Sequence, residues 1–190
     1  MTENEARETI ARTCREMYAR FLFSGTDGNV SVRLPDGRIV TTPTGVSKGR
    51  AEADKMVVTD ESGNVLSSGK PSSEIKLHLA VYAARKDINA IVHAHPSAAT
   101  AFALAEKSPG GELTESAVMF PGGIPVAEFA VNGTAEIAEN CVRALGSGYA
   151  VLLARHGAVT VGETLEDAQN RMDALENIAK TELLKKLLDK

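Results

Sequence analysis

Residues 29–42, NVSVRLPDGRIVTT, set the first constraint on the fold. Apolar and polar residues alternate over 29–34, Asp36-Gly37 follows as a turn, and RIVTT (38–42) resumes an extended pattern. Asp-Gly tolerates the positive φ that two-residue hairpin turns require, so the stretch predicts an antiparallel pair. KMVVTD and NVLSS, separated by ESGN, predict a second hairpin. Around these strands the period changes. Ile10, Cys14, Met17 and Phe21 recur at helical spacing and predict an amphipathic helix over 4–22. SSEIKLHLAVYAARK from Ser72 reads as a largely buried helix with Ser72 as its N-cap. INAIVHAH reads as a short buried strand stopped by Pro96, followed by a helix over 97–107. The Gly/Pro-rich stretch 109–125 reads as a loop, PVAEFA as a strand and 134–145 as a helix. YAVLLARHGAVTVG predicts two short strands around a turn at His156-Gly157, and 164–188 a long final helix. Strands and helices thus mix, and the fold class expected is α/β with a largely antiparallel sheet between helical layers.

The 190 residues show no linker, repeat or low-complexity segment, so one domain over 1–190 is expected. The net charge is −4, with no basic stripe, which argues against a nucleic-acid partner. No apolar run approaches the roughly 20 residues of a membrane span. The N-terminus lacks the basic start and apolar stretch of a secretory signal. Cys14 and Cys141, far apart and each in an expected helix, fit buried thiols in a reducing, cytoplasmic setting.

His93 and His95 end the apolar run IVHAH. Residues i and i+2 of a strand share a face, so both imidazoles project side by side. Such a pair is often only hydrogen-bonded, yet the spacing also suits convergence on one ion. His156 follows another apolar strand directly and precedes a glycine. Three protein ligands and one open position is the pattern of a catalytic zinc site, and cobalt or manganese suits the same donors. Glu74, in the expected first turn of a helix, is either a carboxylate favourable to the helix dipole or a base beside an anion at the helix start. GTDGNVS (25–31) and TPTGVSKG (42–49) are turn-rich, and match neither a Walker nor a Rossmann pattern.

In order, GTDGNVSVR, TPTG, GKPSSE, HAHP and ARHG resemble the class II aldolase/adducin family over about residues 5–185, with L-fuculose-1-phosphate aldolases as the nearest members. The resemblance implies a three-layer α/β/α fold around a mainly antiparallel sheet. It implies one Zn2+ per subunit on His93, His95 and His156, with Glu74 as acid/base carboxylate. It also implies a substrate phosphate held by Gly28, Asn29, Thr44, Gly45, Ser72 and Ser73. The expected partner is a small-molecule sugar phosphate, and the expected assembly a homotetramer with active sites at subunit contacts. The activity implied is reversible cleavage of a ketose 1-phosphate to dihydroxyacetone phosphate and an aldehyde. Dehydration of a methylthioribulose-1-phosphate type and 4-epimerisation are the alternatives on the same metal site, and a non-catalytic adducin-like module is a further one. Fuculose-phosphate-type aldolases carry a tyrosine after the histidine pair, where this chain has GELTESAVMF. Glu115 falls nearest and is expected as a second acid/base group. The chain also ends at LLKKLLDK, without the longer tail of some relatives. His78, one helical turn after Glu74, is expected as a buried hydrogen-bonded histidine rather than a fourth ligand.

Overall fold

The computed structural model describes residues 1–111 and 113–189, leaving aside the side chain of Glu115. Helix α1 (Glu3–Ala19) opens with a capping box in which Thr2 and Glu5 satisfy each other's backbone N–H groups. It stops three residues short of expectation. Phe21 turns into the left-handed region at φ 60°, which leaves its own ring in solvent but swings Leu22 and Phe23 into the core. Strands β1 (Asn29–Arg33) and β2 (Ile39–Thr41) form the expected hairpin. Of the second expected hairpin only β3 (Val57–Thr59) is a strand, with a single bridge from Thr59 to Val65. The Asp60 carboxylate gathers the Ser62 and Asn64 backbone N–H groups, and the return limb pairs only briefly, through the Asp60 N–H to the Asn64 carbonyl and the Leu66 N–H to the Val58 carbonyl.

Helix α2 (Ile75–Ala84) begins after Ser72, which is not its N-cap. The Ser72 N–H is taken by the Thr42 carbonyl at 3.1 Å, and Pro71 bridges Pro43, so tertiary pairing holds 71–72 extended. Strand β4 (Ala90–Ala94), helix α3 (Ser97–Leu104) and a short helix α4 (Thr114–Met119), where a loop is expected, come next. Strand β5 (Val126–Ala127), helix α5 (Ala135–Leu145), strands β6 (Ala150–Leu153) and β7 (Gly157–Gly162), and helix α6 (Leu165–Leu188) complete the chain.

The seven strands form one sheet in the order β3-β2-β1-β4-β7-β6-β5, antiparallel except for the β5–β6 pair. Alternation along the central strands divides the core into two layers. Val30 and Val32 of β1 and Ala90, Val92 and Ala94 of β4 pack with the apolar faces of α1, α3 and α6. Ile91 of β4 and Val159 and Val161 of β7 face Leu77 and Val81 of α2 and Ile137 and Cys141 of α5. The arrangement is a three-layer α/β/α sandwich. Burial pushes both cysteine thiols up to about 12, so Cys14 and Cys141 behave as small hydrophobes. Among the described residues no helix is long and apolar enough to cross a membrane.

Between β1 and α2 runs a line of polar contacts. Residues 29, 31 and 33 share one face of β1, and residues 74, 78 and 82 follow one line up the start and length of α2. Asn29 Nδ2 donates to Glu74 Oε2 at 2.9 Å. Ser31 Oγ meets His78 Nδ1 at 2.6 Å and the Tyr82 hydroxyl at 2.8 Å. Arg33 donates to the carbonyl of Tyr82 in the last turn of α2 and to those of Arg85, Lys86 and Ile88 beyond its end, a cation where the helix dipole favours one.

Candidate metal centre and anion-binding loops

Sheet register brings the histidines together. His93 of β4 lies opposite Asn29 of β1 and Val159 of β7, and His95 follows one residue past the end of β4. His156 closes the β6–β7 turn, just ahead of the β7 residue that ends the ladder with Leu153. Glycine at 157 is required here: a Cβ would sit 2.7 Å from the Ala94 carbonyl oxygen and 2.4 Å from Cδ2 of the His95 ring. The three rings stand with centroids 4.7 to 4.8 Å apart.

The donor atoms fit a cation. His93 is completely buried, and the Ala158 carbonyl 2.9 Å from its Nδ1 takes the ring proton there, which leaves Nε2 as a lone pair. The Nε2 atoms of His93 and His95 lie 3.0 Å apart. One ligand atom from each of His93, His95 and His156 falls within 4.8 Å of the others. Glu74 enters from the start of α2, with Oε2 at 3.2 Å from His93 Nε2 and Oε1 at 3.4 Å from His156 Nε2. Glu74 Oε1 and His156 Nδ1 are buried with no hydrogen-bond partner. An electron-rich cluster with unsatisfied buried acceptors is the environment a divalent ion relieves.

Electrostatics agree with this reading. Burial pulls the His156 imidazole down to about 4 with help from neighbouring His93, and lowers His95 as well, so both rings favour the neutral, ligating form. Burial alone raises Glu74, but positive charge among the imidazoles, with the hydrogen bond from the Asn29 amide, outweighs it and holds the carboxylate well below its usual range, and a cation held by the neutral rings would act in the same sense. His78 lies outside the cluster. It is 1% exposed, tied to Ser31, and lowered to about 3 by burial.

Next to the histidines lies a cavity of about 360 Å³. Gly28, Asn29, Thr44, Gly45, Ser72 and Ser73 all line it, together with Glu74, His95 and His156. Gly28 holds φ at 72°, and a Cβ there would lie 2.5 Å from the Phe23 ring and 2.6 Å from the His93 carbonyl, so only glycine lets this turn pass under β4. Ser72 Oγ accepts weakly from the Glu74 N–H at 3.3 Å. Sequence reasoning missed several lining residues, Lys48 and Asn132 among them. Lys48 follows the turn-rich GVS, and Asn132 sits in an AVNG turn, where its amide approaches His156 Nε2 at 3.3 Å. The side chain expected as a second acid/base group, Glu115, lies outside the described residues, although its backbone belongs to α4.

A sandwich of this topology with a histidine cluster beside a loop-lined cavity defines a protein class, and residues 8–183 match the model of the class II aldolase and adducin N-terminal domain. The chain belongs to that family. A Haemophilus influenzae relative named 3-oxo-tetronate 4-phosphate decarboxylase is 37% identical over 184 residues, covering 95% of this chain and 88% of that protein. An L-fuculose phosphate aldolase of Escherichia coli (strain K12) is 36% identical over 168 residues, covering 88% of this chain and 78% of that protein. The solved structure of an L-fuculose 1-phosphate aldolase superposes with a TM-score of 0.92 at 32% identity, over 98% of this chain and 88% of that one. Lyase activity is what these relatives share.

Proposed function

We propose that the chain is a metal-dependent lyase releasing dihydroxyacetone phosphate, with a ketose 1-phosphate of the L-fuculose or 5-deoxypentulose type as substrate. One observation carries the reading: Glu74 stands between two imidazoles at one side of a polar cavity whose lining includes serine, threonine and glycine loops. His93, His95 and His156 would hold one Zn2+, and Co2+ or Mn2+ suits the same donors. Such an ion supplies Lewis-acid stabilisation of negative charge beside the substrate carbonyl.

The rest is the work of the chain. The loops at Gly28-Asn29, Thr44-Gly45 and Ser72-Ser73 offer backbone N–H and hydroxyl donors to the phosphate and so orient the carbon skeleton. Cleavage between C3 and C4 takes the proton from the C4 hydroxyl, releases the aldehyde and leaves the bonding pair on C3 as an enediolate. Glu74, which takes up a proton from solvent as the C4 hydroxyl proton passes back to solvent, then delivers it to C3, so that cleavage has no net proton change. In the condensing direction the same group must abstract it, and the depressed pKa keeps Glu74 ionised for that role. Glu115 is the residue proposed to accept the C4 hydroxyl proton.

A second reading has its own support. The 3-oxo-tetronate 4-phosphate of the Haemophilus influenzae relative is a 3-oxo acid whose loss of CO2 leaves the same enediolate of dihydroxyacetone phosphate. That reaction has no C4 hydroxyl to deprotonate, which suits a segment, TESAVMF, without a tyrosine. Both readings ask the same of the loops and of Glu74, and differ only in what departs.

The deciding assay supplies metal-replete protein with ketose 1-phosphates and, separately, 3-oxo-tetronate 4-phosphate. Dihydroxyacetone phosphate is followed through a coupled reductase, with and without chelator. Chelator-sensitive release from a ketose 1-phosphate is expected. Release only from the 3-oxo acid selects decarboxylation, and substrate loss without that product sinks both. We further propose a cytoplasmic homotetramer with sites at subunit contacts, supported by the exposed Phe129 and Val131 beside the Asn132 loop. Light scattering giving a monomer at assay concentration would remove that part.

A further inference from the structure

Lys48 stands out among the charged groups of the molecule. Its side chain is buried, with the residue only 3% exposed, yet among the described residues it makes no ion pair. Its Nζ donates to the Thr26 carbonyl at 2.9 Å and to the Val46 carbonyl at 3.3 Å. Its backbone N–H donates to Gly25 O at 3.0 Å. The residue therefore ties the 25–28 turn to the 43–47 turn, the two loops that carry Gly28 and Gly45. Two of the three ammonium N–H groups are used, both on neutral carbonyls, which leaves one donor over and, apart from the more distant Asp27, no carboxylate acting on the charge.

A buried, unpaired cation is costly, and proteins keep such groups where a ligand of opposite charge arrives. Lys48 lines the cavity that also holds Glu74 and the anion-binding loops, and no other lysine or arginine does so among the described residues. The carboxylates on that lining, Asp27 and Glu74, are both negative and lie near the histidines: Asp27 Oδ2 is 3.7 Å from His95 Nδ1. A phosphate monoester carries up to two negative charges at neutral pH. Backbone N–H groups and hydroxyls supply hydrogen bonds but no net charge, so the loops alone leave the dianion unneutralised in the presence of two carboxylates. Burial lowers the pKa of Lys48, in keeping with an ammonium that gains when an anion enters.

We infer that Lys48 is the cationic partner of the phosphate group, pre-positioned by the two carbonyls so that its free N–H and its charge face the dianion as it docks. This rests on the reading that the cavity takes a phosphate monoester. It adds to that reading the charged residue that makes the site select phosphorylated over unphosphorylated substrates.

The test uses the metal-loaded full chain, with inorganic phosphate and dihydroxyacetone phosphate as probes in titration calorimetry. Lys48→Gln keeps a donor for the two carbonyls and removes the charge, and Lys48→Arg keeps the charge. Phosphate affinity should fall about 10- to 100-fold in Lys48→Gln, the range for a lost charge-assisted hydrogen bond. Lys48→Arg should recover most of it, and metal content should stay at the wild-type value in both. With a turned-over substrate, Lys48→Gln should raise KM more than it lowers kcat. Wild-type phosphate affinity in Lys48→Gln would overturn the inference. So would equal losses in both variants alongside equal losses of thermal stability, which would make Lys48 a loop clamp only. Wild-type protein that binds no phosphate would overturn it as well. Tight, Lys48-dependent phosphate binding without lyase turnover would uphold the inference and sink only the proposed reaction.

Discussion

His93 and His156 are placed by sheet pairing, whereas the loops around Gly28, Gly45 and Lys48 are held by single hydrogen bonds between segments outside the regular ladder. His93 sits within a run of five residue pairs between β4 and β7, flanked by β1 on the other side. The loop side depends on isolated bonds, such as the Thr44 N–H to the Lys70 carbonyl at 3.0 Å and the Lys48 contacts to 25 and 26. Many cooperative bonds fix the first half, so a substitution there removes a ligand and leaves the frame. Few bonds fix the second, so a substitution there moves the frame itself.

The largest expected effect follows from this contrast. His93→Ala should abolish stoichiometric metal by elemental analysis and lower turnover by about 10³-fold or more, with the sheet intact by circular dichroism. Retained metal would show that the cluster is not the ligand set. Glu74→Gln should keep its metal and lose roughly 10²- to 10⁴-fold in kcat, the span of a general acid/base. A matched pair of glycines separates strain from collision on the loop side. Gly28→Ala meets both a left-handed φ and the His93 carbonyl, and should cost about 3 kcal/mol or more in denaturant unfolding. Gly45→Ala has the same sign of φ, at 73°, but open space around its Cβ, and should cost about 1 kcal/mol. Equal losses would mean that the close approach under β4 carries no energy.

A further effect is a matter of pH. His78 is neutral in the fold down to about 3, whereas the unfolded chain protonates it from its ordinary value of 6.5. The unfolded state therefore binds more protons between those values, and stability contributed by His78 is lost as pH falls from about 6.5 toward 3. His78→Asn keeps a partner for Ser31 and removes the titration. Its unfolding free energy should decline less steeply than that of the wild type over that window, and parallel curves would contradict the assignment.

Much of the sheet-borne half was legible. Period-two spacing put His93 and His95 on one face, and the apolar run before His156 put it at a strand end. The loop-borne half was legible only as motif resemblance, because Gly, Ser and Thr in a turn look alike whether or not an anion binds there. Lys48 gave no signal, since its burial arises from packing between two distant turns. The errors have the same origin. Ser72 satisfies the local rule for an N-cap, but Thr42 from another segment takes its N–H. NVLSS has strand composition but pairs only briefly beyond the Asp60 turn, and TESAVMF, set among Gly and Pro, hides a helix too short for its period to show.

The polar line between β1 and α2 has a mechanical consequence. Two residues of antiparallel strand advance about 6.8 Å and four residues of helix about 6.0 Å, so the two scales slip by about 0.8 Å at each step. Like the marks of a vernier, they coincide over a short span only, Asn29 against Glu74 at 2.9 Å and Ser31 against His78 at 2.6 Å. Ser31 also reaches the Tyr82 hydroxyl, and at the next step Arg33 meets no side chain in register, donating instead to the Tyr82 carbonyl and to the Arg85 carbonyl past the helix end. Lengthening α2 at its far end would add marks that are already out of step and leave Glu74 where it is. A single residue inserted between Glu74 and His78 would instead move the point of coincidence, and with it the carboxylate, away from the histidines.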